Sequence, residues 1–148
     1  MERKSILVVD DDRAILDSFR KLLETKGYYV DTAQSGKEAI EAVCRGFYNL
    51  DLIDIKLPDM AGTSLLREIH LIDPKMKKVM VTGYSSRENA IDSLNSGADG
   101  YMEKPVMPVK LLEVVGSKLS EQELENKLYE DTINNLLRPR MTDEHLRD

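Results

Sequence analysis

Cysteine occurs once in this chain of 148 residues, at Cys44, so no internal disulfide can form. Basic charge is in deficit: 21 Lys and Arg against 27 Asp and Glu leave a net charge of -6. That balance argues against a nucleic-acid or membrane-surface role carried by bulk electrostatics. No apolar run approaches the length of a transmembrane span, and the start Met1-Glu2-Arg3-Lys4-Ser5 lacks the apolar core of a signal peptide. The expected compartment is the cytoplasm. Histidine is scarce too; His70 and His145 have no ligand-type neighbours in the sequence, and each reads as part of a solvated face. Cys44 follows Ala42 and Val43 in a helical pattern and reads as a buried structural thiol. With 41% hydrophobic and 32% charged residues, the chain is long enough for one domain with a full core and too short for two.

What the chain does have is an acidic run, Asp10-Asp11-Asp12, directly after the apolar stretch Ile6-Leu7-Val8-Val9. Adjacent carboxylates at a strand end repel one another by roughly 4 kcal/mol per close pair at an effective dielectric near 20, so something positive belongs there. Oxygen ligands alone suit Mg²⁺, which takes one or two carboxylates and a phosphate oxygen. A solvated turn with Asp12 capping the next helix is the plainer reading of the triplet by itself.

Strand and helix periods alternate five times over about 120 residues. Ile15, Leu16, Phe19, Leu22 and Leu23 fall at helical spacing, and Gly27 closes that helix. Tyr28 to Thr32 reads as a second strand, and Ser35-Gly36-Lys37-Glu38 as a capping box ahead of Ala39, Ile40 and Val43. Leu50 to Asp54 is the third strand. A turn from Lys56 to Gly62 leads to a helix carrying Leu65, Leu66 and Ile69, stopped near Asp73-Pro74. Val79 to Val81 is the fourth strand, ending at Thr82. Ser85-Ser86-Arg87-Glu88 offers a second capping box, before Ala90, Ile91 and Leu94, with Gly97 as the cap. Tyr101-Met102 is the fifth strand, ended by Lys104-Pro105, and Pro108 suits the first turn of a last helix.

Such alternation implies a parallel sheet with helices on both faces, because every parallel crossover needs a connecting helix. Ligands of such folds bind beyond the carboxyl ends of the strands. Asp10 and Asp11 follow the first strand, Asp54 ends the third, Thr82 the fourth and Lys104 the fifth. Three carboxylates, a hydroxyl and an ammonium therefore gather on one edge, a set suited to phosphoryl transfer onto a carboxylate. Asp54 stands alone at its strand end and is the nucleophile candidate, whereas Asp10 and Asp11 are paired for metal holding.

In the segments VVDDD, LIDIKLPDMAG, VTGYSS and GADGYMEKP, over about residues 4 to 120, the chain resembles the receiver domain of two-component response regulators. The resemblance implies a flavodoxin-like, doubly wound sheet of five strands in the order 2-1-3-4-5, and a histidine kinase or histidine phosphotransfer protein as phosphodonor. It implies that Asp54 accepts the phosphoryl group. Mg²⁺ would be bound by Asp11 and Asp54 directly, by Asp10 through water and by the Lys56 carbonyl. Thr82 and Tyr101 match the switch pair, Lys104 the phosphoryl-oxygen ligand, and a cis bond is expected before Pro105. Lys56 and Tyr84, two residues beyond the acceptor and the switch threonine, are similar to sporulation phosphorelay receivers and predict a slowly hydrolysed phosphoryl group. A domain of this kind assists its own phosphorylation without being an enzyme in the usual sense.

Some positions depart from the pattern. Asp51 lies where the third strand should be buried on both faces, so it is either near an exposed strand start or costs stability. Val106 stands where an aromatic residue is often found, and Met107-Pro108 replaces an acidic helix cap. A haloacid-dehalogenase-type phosphatase also uses an aspartate nucleophile with Mg²⁺, but its first-strand motif needs Thr or Val where Ala14 stands. A flavodoxin would not put a carboxylate triplet where its phosphate binds. After residue 120, a helical extension or linker over 121–148 is expected, ended by Pro139. In it Leu119, Leu124, Leu128 and Ile133 recur irregularly. Those residues are expected to find little to bury against the receiver, which leaves a homodimer as one outlet for them. Output is expected through contact with a downstream protein rather than DNA.

Overall fold

The computed structural model describes the backbone of residues 3–83 and 86–147, and the side chains of residues 3–83 and 86–138. Tyr84 and Ser85 lie outside the described residues, as does the side chain of His145. Five strands, β1 (Ser5–Val9), β2 (Tyr29–Ala33), β3 (Leu50–Asp54), β4 (Lys77–Thr82) and β5 (Gly100–Glu103), form one parallel sheet in the order β2-β1-β3-β4-β5. Between and after them come α1 (Arg13–Glu24), α2 (Gly36–Arg45), α3 (Gly62–Ile72), α4 (Arg87–Asn95) and α5 (Pro108–Arg147). This is the flavodoxin-like order expected, with a helical C-terminal extension.

Alternate residues of the central strands serve opposite faces. Ile6 and Val8, with Leu50, Leu52, Val79 and Val81, pack against Leu16 and Leu23 of α1 and Leu111, Val115 and Leu119 of α5. Leu7, Val9, Ile53 and Met80 pack against Ala39 and Val43 of α2 and Leu65, Leu66 and Ile69 of α3. Each such buried aliphatic side chain contributes about 1.5–3 kcal/mol. Helix ends follow from local chemistry. Asp12 accepts from Ala14 N at 2.9 Å to start α1, and Gly27, at φ +84°, ends the turn after it. Ser35 accepts from Glu38 N, but Glu38 returns its bond to Gln34 N, one residue upstream of the box. Ser86 caps α4 by accepting from Asn89 N at 3.0 Å.

Several expectations need correction. Cys44 is exposed, because Ala39 and Val43 define the inner stripe of α2 and the next residue is turned about 100° away. Ile91 and Leu94 of α4 are exposed as well. Small residues, Ala90, buried Ser93 and Gly97, occupy the inward positions instead. His70 is exposed at its rim but not solitary: its Nδ1 lies 3.3 Å from Lys78 Nζ. β4 starts two residues before Val79, since Lys77 and Lys78 are themselves buried. α5 continues past Pro139; the missing N–H forfeits only the bond to the carbonyl of Asn135, an exposed residue.

The extension also finds more to hold than expected. Gln122 is only 5% exposed and donates to the carbonyls of Asn49 (2.8 Å) and Lys75 (2.9 Å), just ahead of β3 and β4. Lys77 Nζ pairs with Glu125 at 2.9 Å, Lys4 with Glu123 at 3.2 Å, and Lys75 sits over the Tyr129 ring at 4.4 Å. α5 is thereby fastened along the amino-terminal edge of the sheet. Asp51 takes the costly alternative: it is fully buried in register with Lys78, and neither carboxylate oxygen has a hydrogen-bond partner.

Candidate functional site

At the opposite, carboxyl-terminal edge, strand register does the assembling. Val9 pairs with Ile53, so Asp10 and Asp54 leave the sheet side by side. Asp10 and Asp54 are buried and Asp11 is exposed, and one carboxylate oxygen from each lies within 4.8 Å of the others. Lys104 Nζ bridges the buried pair, 2.7 Å from Asp10 Oδ2 and 3.1 Å from Asp54 Oδ2. Burial pushes the Asp10 carboxyl upward, as does the charge of Asp54, while Lys104 and the Asp12 N–H at 2.9 Å oppose them. For Lys104, burial disfavours the ammonium, but its bonds to Asp10 and Asp54 outweigh that and raise its pKa.

Thr82 is fully buried at the end of β4, one residue past Val81, the register partner of Asp54. Lys104 N donates to the Thr82 carbonyl at 2.9 Å, which places the lysine at the site, and the bond between Lys104 and Pro105 is cis, as the resemblance implied. Tyr101, in β5, is half-buried and its hydroxyl is buried with no hydrogen-bond partner. Lys56 N donates to Asp54 Oδ1 at 3.3 Å, which begins the turn beyond β3. Asp10, Asp11, Asp54, Lys56, Thr82 and Lys104 are thus collected on one edge; Tyr84 lies outside the described residues.

The turn beyond β3 is held by two residues that sequence reasoning passed over. Asp59 accepts from Gly36 N and Lys37 N at 2.9 Å each, capping α2 from a neighbouring loop and lowering its own pKa through those two bonds. Its signal was available: an acid directly after Pro58, opposite a helix start in Ser35-Gly36. Gly62 N donates to the Ile55 carbonyl at 2.5 Å, and a Cβ on Gly62 would collide with the Asp54 carbonyl. Only glycine allows that close approach.

The donor set is oxygen only, acidic, and open on the Asp11 side, which suits a hard cation such as Mg²⁺ that keeps several waters. Lys104 supplies a cation beside it, so the centre can neutralise an anion as well. Among the described residues no helix is long and apolar enough to cross a membrane.

Residues 6–116 match the family model of the response regulator receiver domain. The alginate biosynthesis transcriptional regulatory protein AlgB of Pseudomonas syringae pv. tomato is 35% identical over 123 residues, 83% of this chain and 28% of its own length. The transcriptional regulatory protein ZraR of Escherichia coli is 39% identical over 101 residues, 68% of this chain and 23% of its length. The chain therefore spans about a quarter of these curated relatives. Among solved structures, a CheY-like response regulator receiver domain protein of Methanospirillum hungatei superposes with a TM-score of 0.82 at 54% identity, covering 84% of this chain and 99% of that one. With its fold, its matched residues and these relatives in agreement, the chain belongs to the response regulator receiver family.

Proposed function

We propose that the chain takes a phosphoryl group from a phosphohistidine, on a histidine kinase or a histidine phosphotransfer protein, onto Asp54. The observation that carries this reading is the Lys104 ammonium bridging Asp10 and Asp54, with Asp11 alongside. An Asp54 carboxylate oxygen attacks phosphorus, the P–N bond breaks, the imidazole takes up a proton, and a P–O bond to Asp54 forms. Mg²⁺, held by Asp11, Asp54 and the Lys56 carbonyl with Asp10 reached through water, would neutralise charge on the moving phosphoryl oxygens. Lys104 neutralises the carboxylate pair beforehand and binds a phosphoryl oxygen afterwards. An apolar groove of about 440 Å³ adjoins it, lined by Ile15, Phe19, Pro105 and Val106, and gives a phosphodonor helix a place to dock.

The switch would run through Thr82 and Tyr101. The Tyr101 hydroxyl has no hydrogen bond to break, so its ring can be repositioned at little cost when Thr82 turns toward the phosphoryl group. Lys56 and Tyr84 would shield the acyl phosphate from water and lengthen its life. In this reading the chain is a signalling protein that assists its own phosphorylation, rather than an enzyme. Output within these residues is by protein contact. Relatives named as transcriptional regulators bring DNA-directed output into view for any longer protein that carries this domain.

Incubation with acetyl phosphate and Mg²⁺ tests the assignment. One base-labile phosphoryl group should appear by intact mass and be lost in Asp54→Asn; labelling of Asp54→Asn at the wild-type rate would sink it. Shielding is tested separately: Lys56→Asn with Tyr84→Ala should hydrolyse about tenfold faster, a change of about 1.4 kcal/mol in barrier.

A further inference from the structure

The turn that carries the Lys56 carbonyl leads into α3 but is anchored on α2. Its base is closed by the bond from Gly62 N to the Ile55 carbonyl and by a bridge between Lys56 and Ala61. At its apex the tie is to another element. The two carboxylate oxygens of Asp59 accept from Gly36 N and Lys37 N, the first two amides of α2, at 2.9 Å each. Met60 adds an apolar contact at the same place, since a Cβ on Gly36 would collide with its side chain.

Between Lys56 and Asp59 stand only Leu57 and Pro58, and both are stiff. Proline fixes its own φ and restricts the residue before it to extended backbone. The Leu57 side chain is in addition buried in the core that α2 and α3 share. The peptide whose oxygen is the Lys56 carbonyl is therefore held at one end by Asp54 Oδ1, which accepts from Lys56 N at 3.3 Å, and at the other through two rigid residues by Asp59. A carbonyl on a loose turn would have to be ordered as the ion binds, and that ordering would be subtracted from affinity.

We propose that Asp59 is a positioning residue for the Mg²⁺ site, fixing the orientation of the Lys56 carbonyl with the amino end of α2 as its anchor. The inference rests on the reading in which Asp11, Asp54 and the Lys56 carbonyl hold that ion. Two plainer roles predict differently. A residue that only caps α2 would be matched by Ser35, which caps the same helix through Glu38 N at 3.1 Å. A residue that acts only by its negative charge would lose its effect equally on replacement by Asn or by Ala.

The Mg²⁺ dissociation constant of the whole chain, from calorimetric titration without any phosphodonor, separates these roles. Groups that orient metal ligands from outside typically matter tenfold or more, so Asp59→Ala should weaken binding by about tenfold. Ser35→Ala should stay within about twofold of wild type, as a change remote from the ligands does. Asp59→Asn, neutral but with one acceptor oxygen left, should stay within about threefold. Unaltered protein offers a second measurement, because a tie that favours the ion is itself favoured by the ion. Mg²⁺ should slow hydrogen exchange of the Gly36 and Lys37 amides several-fold by NMR. It should leave the Lys75 amide, held by Asp73 Oδ1 at 3.1 Å ahead of β4, unchanged. Wild-type affinity in Asp59→Ala, equal weakening by Ser35→Ala, equal weakening by Asp59→Asn, or unchanged exchange at Gly36 and Lys37 would each overturn the proposal. Absence of Mg²⁺ binding by wild type is a different result, which removes the metal site itself and this inference with it. Circular dichroism checks that the variants stay folded; Asp59 is exposed.

Discussion

A carboxyl group with no exposed surface and no hydrogen-bond partner, as at Asp51, is better accommodated with its proton than without it. Burial holds its pKa well above the usual carboxylate range, against the pull of Lys78 and with the repulsion of Asp73. Burial likewise lowers the pKa of Lys78, whose Nζ donates to the Met76 carbonyl at 2.6 Å. As pH rises through the ordinary carboxylate value of 3.8, the unfolded chain releases the Asp51 proton while the folded chain keeps it. Stability is therefore lost with rising pH until the folded group also ionises, by up to about 1.4 kcal/mol per pH unit. Asp51→Asn mimics the protonated form, so its advantage over wild type should be small near pH 4 and grow toward pH 8 in urea melts. A constant difference across that range would mean that Asp51 is ionised in the fold. The sequence marked Asp51 as out of place but could not say what faced it, because its neighbour is set by the register of β3 on β4. The site carboxylates were legible for the converse reason: strand ends are local features, and a parallel sheet brings them together by topology alone. Asp10 and Asp54 should therefore depend on Lys104. Lys104→Met leaves two buried carboxylates unneutralised and should cost about 2–4 kcal/mol without metal, much of it restored by Mg²⁺, as thermal melts would report.

Helical spacing located all five helices, and it misjudged the ones whose inner face is not apolar. In α4 the inward positions are Ala90 and Ser93, with Gly97 just past the helix end, so the larger Ile91 and Leu94 were mistaken for core. In α5 the seam runs through Gln122 and Asn126, and a search for apolar residues alone picked up Leu124 and Leu128 from the other side. That is why the extension looked irregular. Its attachment is polar: Gln122 donates to two part-buried backbone carbonyls, and Lys77, whose burial would lower its pKa but whose bond to Glu125 and the charge of Asp99 raise it, adds an ion pair. Gln122→Leu should leave the Lys75 carbonyl without the Gln122 donor and the Asn49 carbonyl with Lys77 N alone, and cost about 1–3 kcal/mol in urea unfolding. Truncation after Leu119 should cost at least as much while sparing acetyl phosphate labelling of Asp54. If that truncation is as stable as the whole chain, the clasp at Gln122 contributes nothing and residue 120 is a true boundary.

Two ends of one sheet carry two different kinds of contact: the acidic centre beyond the carboxyl ends of the strands, and the α5 clasp along their amino ends. Metal should act at the first. Mg²⁺ at about ten times its dissociation constant adds about 1.4 kcal/mol to the folded state. For a domain of this size the midpoint should rise by roughly 3–5 °C, and Asp11→Asn, which touches neither Lys104 nor the core, should abolish that rise.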